Sequence, residues 1–317
     1  MSGEEALSYA GAGVDIPAYE ALLARVKPLI EATHGPSVAK GVGPFAGLYE
    51  LPTGGWLAAS ADGVGTKVKV AIAAGEHRGI GQDLVNHCIN DVATSGARPL
   101  FMLDYFSTGK LDGTVFEQVV EGLAIACRQG GCALLGGETA EMPGLYALGD
   151  YDLAGFIVGI VESGGLPEIS SVQPGDLLVG LPSSGLHTNG FSLVRRVFED
   201  VGPGEVFPEL GRPLAEVLLT PHRSYLDQLR SLTWKSAAHI TGGGIPGNLP
   251  RALPEGLTYR LDRSRWEEPA IFGLIRSRGR ISDDEMLATF NLGIGMVLVV
   301  APDTVPAGYP VIGEVVS

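Results

Sequence analysis

Asp62-Gly63-Val64-Gly65-Thr66-Lys67 follows directly on a strand-like run, Trp56-Leu57-Ala58-Ala59-Ser60-Ala61. It brings a carboxylate, two glycines, a hydroxyl and an ammonium to the end of an extended segment. Glycines let backbone N–H groups approach phosphate oxygens, a carboxylate suits a hard divalent cation, and the Lys67 ammonium adds compact positive charge. The hexapeptide is therefore a candidate cradle for a metal-bound polyphosphate. An Asp-Gly pair also marks hairpin turns, here between Trp56–Ala61 and a second expected strand, Val68–Ala73. The segments that follow favour the cradle.

Leu84, Val85, Cys88, Ile89 and Val92 recur at helical spacing over an expected helix, Gln82–Thr94, with Asp83, His87, Asn90 and Asp91 on its other face. Strands are expected at Leu100–Phe106, Ala133–Leu135 and Leu153–Val161, and a helix at Thr114–Gln129 that Gly130-Gly131 stops. Asp104 lies in the apolar run Pro99–Tyr105, and Glu138 follows Gly136-Gly137. Four acids, Asp62, Asp91, Asp104 and Glu138, thus stand at strand or helix ends, and in three of these segments an apolar element delivers the acid beside glycine or Asn.

Upstream, Asp15 is placed to cap a helix carrying Ile16, Leu22, Leu23, Val26, Leu29 and Ile30, which Pro28 should bend or end. Gly35–Pro44 reads as a mobile loop able to fold over a ligand. Downstream, Ser163–Gly175 is rich in glycine and proline and marks a boundary, giving an N-terminal domain at 1–165 and a C-terminal domain at 170–317. The second domain opens with an expected strand, Asp176–Leu181, and helix, Gly190–Asp200. Between them Ser183–Gly190 sets hydroxyls, the His187 imidazole and the Asn189 amide at a helix start, where anions bind well. Thr241-Gly242-Gly243-Gly244 follows an expected strand, Ala237–Ile240, and precedes a short helix near Pro246, so consecutive N–H groups can face a phosphate. Ser282 with Glu285 fits a capping box. No repeat of 20–50 residues is evident. Periodicity alone supports a two-domain protein of mixed α and β structure.

Composition narrows the class. The 317 residues are 45% hydrophobic and 18% charged, yet no apolar run approaches the roughly 20 residues of a membrane span. Met1-Ser2-Gly3-Glu4-Glu5 has no basic region leading into an apolar core, so a cytoplasmic location is expected. A net charge of −14 opposes nonspecific attraction to nucleic acid or anionic membrane. Cys88, Cys127 and Cys132 lie in apolar patterns without paired spacing and read as reduced core residues.

Taken together, these stretches resemble the phosphoribosylformylglycinamidine cyclo-ligase family. The matching segments are Ser8-Tyr9 with Ala12–Ile16, Asp62–Lys67, Asn90-Asp91, Phe101–Tyr105 with Thr108–Asp112, Gly136–Gly144, Ser183–Arg195, His239–Gly244 and Thr289–Met296, in family order. Two departures stand out. Ala61 occupies the place of a threonine, and a helix expected between the last two strands is missing after Val300.

The resemblance implies two α+β domains, a homodimer built on the N-terminal sheets, and an ATP site near the subunit and domain junctions. It implies ATP and Mg2+ as cofactors and formylglycinamidine ribonucleotide as substrate. Asp62, Asp91 and Glu138 become metal candidates, and Gly63, Gly65, Thr66, Lys67 and Asp104 join them in binding the nucleotide. His187, Asn189 and Lys27 are the catalytic candidates, with Lys27 beside the glycine loop and His187 moving protons. Gly242, Gly243, Gly244 and Ser184 are expected on the substrate side. Selenophosphate synthetases, which share the superfamily, carry Cys or selenocysteine in the N-terminal loop, whereas no Cys precedes Cys88 here. Thiamine-monophosphate kinase is another competing reading within the superfamily. Hydrogenase maturation factors use a C-terminal cysteine, and this chain ends in Val316-Ser317.

Overall fold

The computed structural model describes residues 7–317, so the N-terminal segment Met1–Glu5 lies outside the described residues. Helix α1 (Ile16–Glu31) is capped by Asp15, whose carboxylate accepts from Ala18 N, and runs on through Pro28. None of its residues is buried. Strands β1 (Val38–Lys40), β2 (Gly47–Glu50) and β3 (Trp56–Gly63) then form an antiparallel meander, so part of the expected mobile loop is in fact an edge strand.

Directly after β3 the chain turns into a helix where a second strand is expected. Val68–Ala73 is not a strand but the body of helix α2 (Lys67–Ala74). The alternation in Lys-Val-Lys-Val-Ala-Ile imitates strand periodicity over a run too short for the pattern to decide. Val68 and Ala71 share the buried face, and Gly75, in the left-handed region at φ 70°, closes the helix. Asp62-Gly63 is consequently the end of a strand feeding a helix rather than a hairpin turn.

Helix α3 (Arg78–Ala93), strand β4 (Arg98–Thr108), helix α4 (Gly113–Gly130), strand β5 (Ala133–Glu141) and strand β6 (Tyr151–Val161) complete the first unit. Its sheet has the order β1-β2-β3-β6-β4-β5, with only β4 and β5 parallel. Helices α3 and α4 cover one face. They approach closely because Gly81 and Gly122 meet at their crossing, where an added Cβ would overlap the Val119 and Arg78 carbonyl oxygens. The other face leaves Leu103, Tyr105 and Phe156 exposed.

Residues 162–176 lead to a second, antiparallel sheet of order β8-β10-β7-β11-β9. Its strands are β7 (Leu177–Pro182), β8 (Ser236–His239), β9 (Thr258–Leu261), β10 (Ile294–Val300) and β11 (Val311–Val316). Between them come helices α5 (Phe191–Val197), α6 (Leu214–Leu218), α7 (Leu226–Ser231), α8 (Gly244–Asn248), α9 (Ala270–Gly279) and α10 (Asp283–Thr289). A single 3-10 turn, Pro302–Thr304, links β10 to β11 in place of the family's expected helix.

Ser282 caps α10 by accepting from Glu285 N, but the reciprocal half of the capping box is absent. Glu285 Oε1 instead accepts from Tyr9 N at 2.6 Å, tying the N-terminal segment to the second unit. One apolar cluster is continuous across both units, joining Leu84 and Ile89 of α3 to Leu181, Tyr225 and Met296.

Candidate active site at the junction of the two sheets

The polar face of α3 does not face solvent. Asp83, His87, Asn90 and Asp91 are all buried, because that face packs against residues of the second unit. The sequence pattern correctly set these residues apart from the apolar stripe, but an alternation of polar and apolar positions cannot distinguish water from a second domain.

Strand β3 projects Ser60 and Asp62 toward the same region. Asp62 Oδ2 meets His87 Nε2 at 2.7 Å, and Asp62 Oδ1 accepts from Gly63 N. His87 Nδ1 lies 2.8 Å from Thr188 Oγ1, which lies 3.4 Å from His222 Nδ1. His222 Nε2 is 3.0 Å from His239 Nε2, and His239 Nδ1 is 2.8 Å from Asp91 Oδ1. Ser60 Oγ donates to Asp91 Oδ2 at 3.0 Å. One assignment of hydrogens satisfies this chain. A doubly protonated His87 donates to Asp62 and Thr188, the threonine hydroxyl donates to a neutral His222, and the proton on His222 Nε2 points at His239, which donates from Nδ1 to Asp91.

Electrostatics support that assignment. Burial works against charge on His87, but Asp62, Asp91 and Asp83 outweigh it and raise its pKa to about 9. Burial and neighbouring positive groups hold His222 and His187 well below the usual imidazole range, and burial lowers His239 despite Asp91. Burial raises the Asp62 carboxyl, yet His87 and the Gly63 N–H bring it below its ordinary value. Four of the chain's six histidines, His87, His187, His222 and His239, gather here. His87 and His239 were visible as parts of motifs. His222, in Thr220-Pro221-His222, had no local pattern to announce it.

His187 has a left-handed backbone, φ 63°, and its ring stacks on His222 with centroids 3.9 Å apart. Its Nε2 accepts from Ser184 N at 3.2 Å, while the buried Nδ1 has no partner among the described residues. The Asn189 Oδ1 atom is likewise buried and unpartnered, and the Asn189 amide nitrogen would lie 3.4 Å from a Cβ added at Gly242. The sequence placed Asn189 and the Gly242–Gly244 turn in separate motifs, and the fold brings them together. Asn248 fixes that turn by donating to the carbonyls of Gly242 and Gly244. Arg251, not foreseen from sequence, hydrogen-bonds the Gly43 carbonyl and Asn248 Oδ1 and stacks on Phe45, linking the glycine loop to this turn.

Other candidates fall elsewhere. Lys67 does not present its ammonium to a polyphosphate. It is fully buried, and its three hydrogens are taken up by Asp83, the His187 carbonyl and the Thr220 carbonyl. Lys27 is about half exposed on α1 and pairs with Glu31 at 3.6 Å. The Ser184 hydroxyl donates to the Pro221 carbonyl at 2.6 Å. Asp104 pairs with Gly155 of β6, which in turn pairs with Asp62, so both acids project to the helix-covered face of the sheet. Glu138 is opposite Tyr105 and shares its exposed face, on the far side of the sheet from Asp62 and Asp91. Gly136-Gly137-Glu138 lies within β5 rather than in a loop after it. All three cysteines are unpaired thiols, Cys88 and Cys127 buried and Cys132 partly so.

Comparison with known proteins decides the family. Residues 43–161 match the N-terminal domain of AIR synthase related proteins, and residues 173–308 match their C-terminal domain. A phosphoribosylformylglycinamidine cyclo-ligase of Myxococcus xanthus is 52% identical over 94% of this chain and 90% of its own length. The chain belongs to the phosphoribosylformylglycinamidine cyclo-ligase family. The Synechococcus cyclo-ligase is 49% identical over 93% of this chain and 88% of its own. In fold, the chain is similar to AaThiL complexed with AMPPCP and TMP, with a TM-score of 0.63 at 14% identity over 99% of this chain and 93% of that one.

Proposed function

We propose that this cyclo-ligase closes the imidazole ring of aminoimidazole ribonucleotide at the junction of its two sheets. The reaction transfers the ATP γ-phosphoryl group to the formyl oxygen of formylglycinamidine ribonucleotide, with ADP leaving. The ribosyl-bearing amidine nitrogen then attacks the formyl carbon, the C–O bond to the phosphorylated oxygen breaks, and phosphate and a proton are released. Relatives about half identical over nearly the whole chain support the activity, and an ATP analogue in a protein of similar fold supports a nucleotide site.

The observation that carries the residue assignment is the pair of carboxylates, Asp62 and Asp91, held by hydrogen bonds that leave lone pairs on their oxygens. Such oxygen donors fit Mg2+, and Asp62 and Asp91 would hold it, where it would neutralise polyphosphate charge. The Gly63, Gly65 and Thr66 segment lies beside them for the nucleotide, with Asp104 two strands away across β6. On the acceptor side, Gly242–Gly244 offers N–H groups to the ribosyl phosphate. Asn189, with an unsatisfied carbonyl oxygen, orients the amidine, and neutral His187, with its free Nδ1, handles a proton during ring closure. Ser184 serves by fixing His187 through its N–H. Lys27 reaches this centre only if α1 and the glycine loop fold over a bound nucleotide.

The homodimer and the cytoplasmic setting belong to the same proposal, as does the division at 1–165 and 170–317. Glu138 faces away from its own Asp62, so it would serve a paired subunit. Purified protein with Mg2+, ATP and formylglycinamidine ribonucleotide should give ADP, phosphate and the imidazole product in equal amounts. ADP formation independent of that substrate, or turnover of thiamine monophosphate instead, would overturn the reading.

A further inference from the structure

Asp83 holds Lys67 and adds to the field that keeps His87 charged, and it is among the most enclosed charges of the chain. It lies in α3 with no exposed surface, 2.9 and 2.7 Å from Lys67 Nζ through its two oxygens. Both residues belong to the N-terminal unit, and among the described residues their remaining side-chain hydrogen bonds reach across to the second. Lys67 Nζ donates to the His187 carbonyl at 3.1 Å and to the Thr220 carbonyl at 3.0 Å, and Asp83 Oδ1 accepts from His222 N at 2.7 Å. These are main-chain contacts, so they fix the points from which the stacked His187 and His222 rings spring. His187 is moreover held in left-handed backbone, a conformation that a non-glycine residue keeps only where its surroundings over-determine it.

We propose that Asp83, acting through Lys67 and the His222 amide, is a positioning residue for the cyclo-ligase reaction, fixing the His187–His222 imidazole pair against the Asp62 and Asp91 carboxylates. A buried ion pair contributes little net stability compared with apolar side chains of the same size, so stability alone does not account for it. Misplacing a reacting group by about 1 Å is enough to lower turnover by about 100-fold.

The proposal rests on the cyclo-ligase reading, so the wild-type protein is assayed alongside each variant; an inactive wild type would defeat that reading, not this inference. Asp83→Asn leaves an unbalanced buried ammonium and is made both alone and with Lys67→Met, which removes both charges. The expected result for a folded variant, and for the double variant in particular, is a kcat lowered by about 10- to 100-fold with KM for ATP changed less than about threefold. The imidazole 15N signals of His187 and His222 should shift as well. A double variant with wild-type kcat would overturn the proposal. So would failure of both the single and double variants to fold, because the pair would then be an element of stability rather than of positioning.

Discussion

His187 is the residue at which local strain, burial and an unused hydrogen-bonding atom coincide. Its Nδ1 is buried without a partner and its backbone is left-handed, while burial and nearby positive groups keep the ring neutral. Replacing it with Ala should lower kcat by about 100-fold or more, within the range of general acid–base contributions, and leave the KM for ATP nearly unchanged. Steady-state kinetics with saturating Mg2+ check this, and an unchanged kcat would reduce His187 to a structural residue. The same cluster predicts how stability varies with pH. His87, raised to about 9, adds stability that is complete below about 6.5 and lost as pH rises through 9, on the order of 3 kcal/mol. His187, His222 and His239 are lowered, so they resist protonation in the fold and cost stability as pH falls below about 6.5, where the unfolded chain takes up protons. Thermal melting without nucleotide should therefore be highest near pH 6.5 to 7 and fall on both sides. A melting temperature that climbs steadily from pH 7 to 9 would contradict the charged His87.

At the scale of elements, the contact of α3 with α4 positions the acids and histidines, and it depends on two small residues. An alanine at Gly122 would overlap the Arg78 carbonyl, and because that neighbour is backbone, the helices would have to separate. Gly122→Ala should destabilise the protein by about 1–3 kcal/mol, even though alanine is the better helix former. Gly113→Ala, where an added Cβ meets nothing, provides the control and should be neutral in urea unfolding. Most elements were legible for simple reasons. Leu84, Val85, Cys88, Ile89 and Val92 mark α3 by period, Asp15 and Ser282 mark helix starts by their side-chain acceptors, and Gly131 marks the end of α4 by its left-handed backbone. Helix α2 imitates a strand because its eight residues, of Lys, Val, Ala and one Ile, fit two periods at once. The acids Asp62 and Asp91 stood out beside Gly63 and Asn90, whereas the role of Lys67 did not. Its position in a phosphate-like motif says nothing about Asp83, which is 16 residues away in sequence and beside it in space.

Among the described residues, one face of the first sheet is left uncovered. Leu103 of β4 is paired in register with Phe156 of β6, and both project away from α3 and α4 together with Tyr105. Large apolar side chains grouped on an exposed sheet face are the kind of surface that a protein contact covers, and pairing about a two-fold axis would cover it with the same face of a second copy. With a net charge of −14 on each chain, two copies would repel at long range and the apolar face would have to supply the attraction in such a pair. Light scattering at micromolar protein should therefore give a dimer that tightens as salt is raised, the opposite of an association driven by complementary charge. Phe156→Glu places a carboxylate at the centre of this face and should yield a folded monomer. Because Glu138 shares the face with Tyr105 rather than with Asp62, turnover should be lost along with the dimer, while circular dichroism and melting of the monomer stay close to wild type. A monomeric wild type would remove the pairing, and a fully active Phe156→Glu monomer would show that each chain completes its own site.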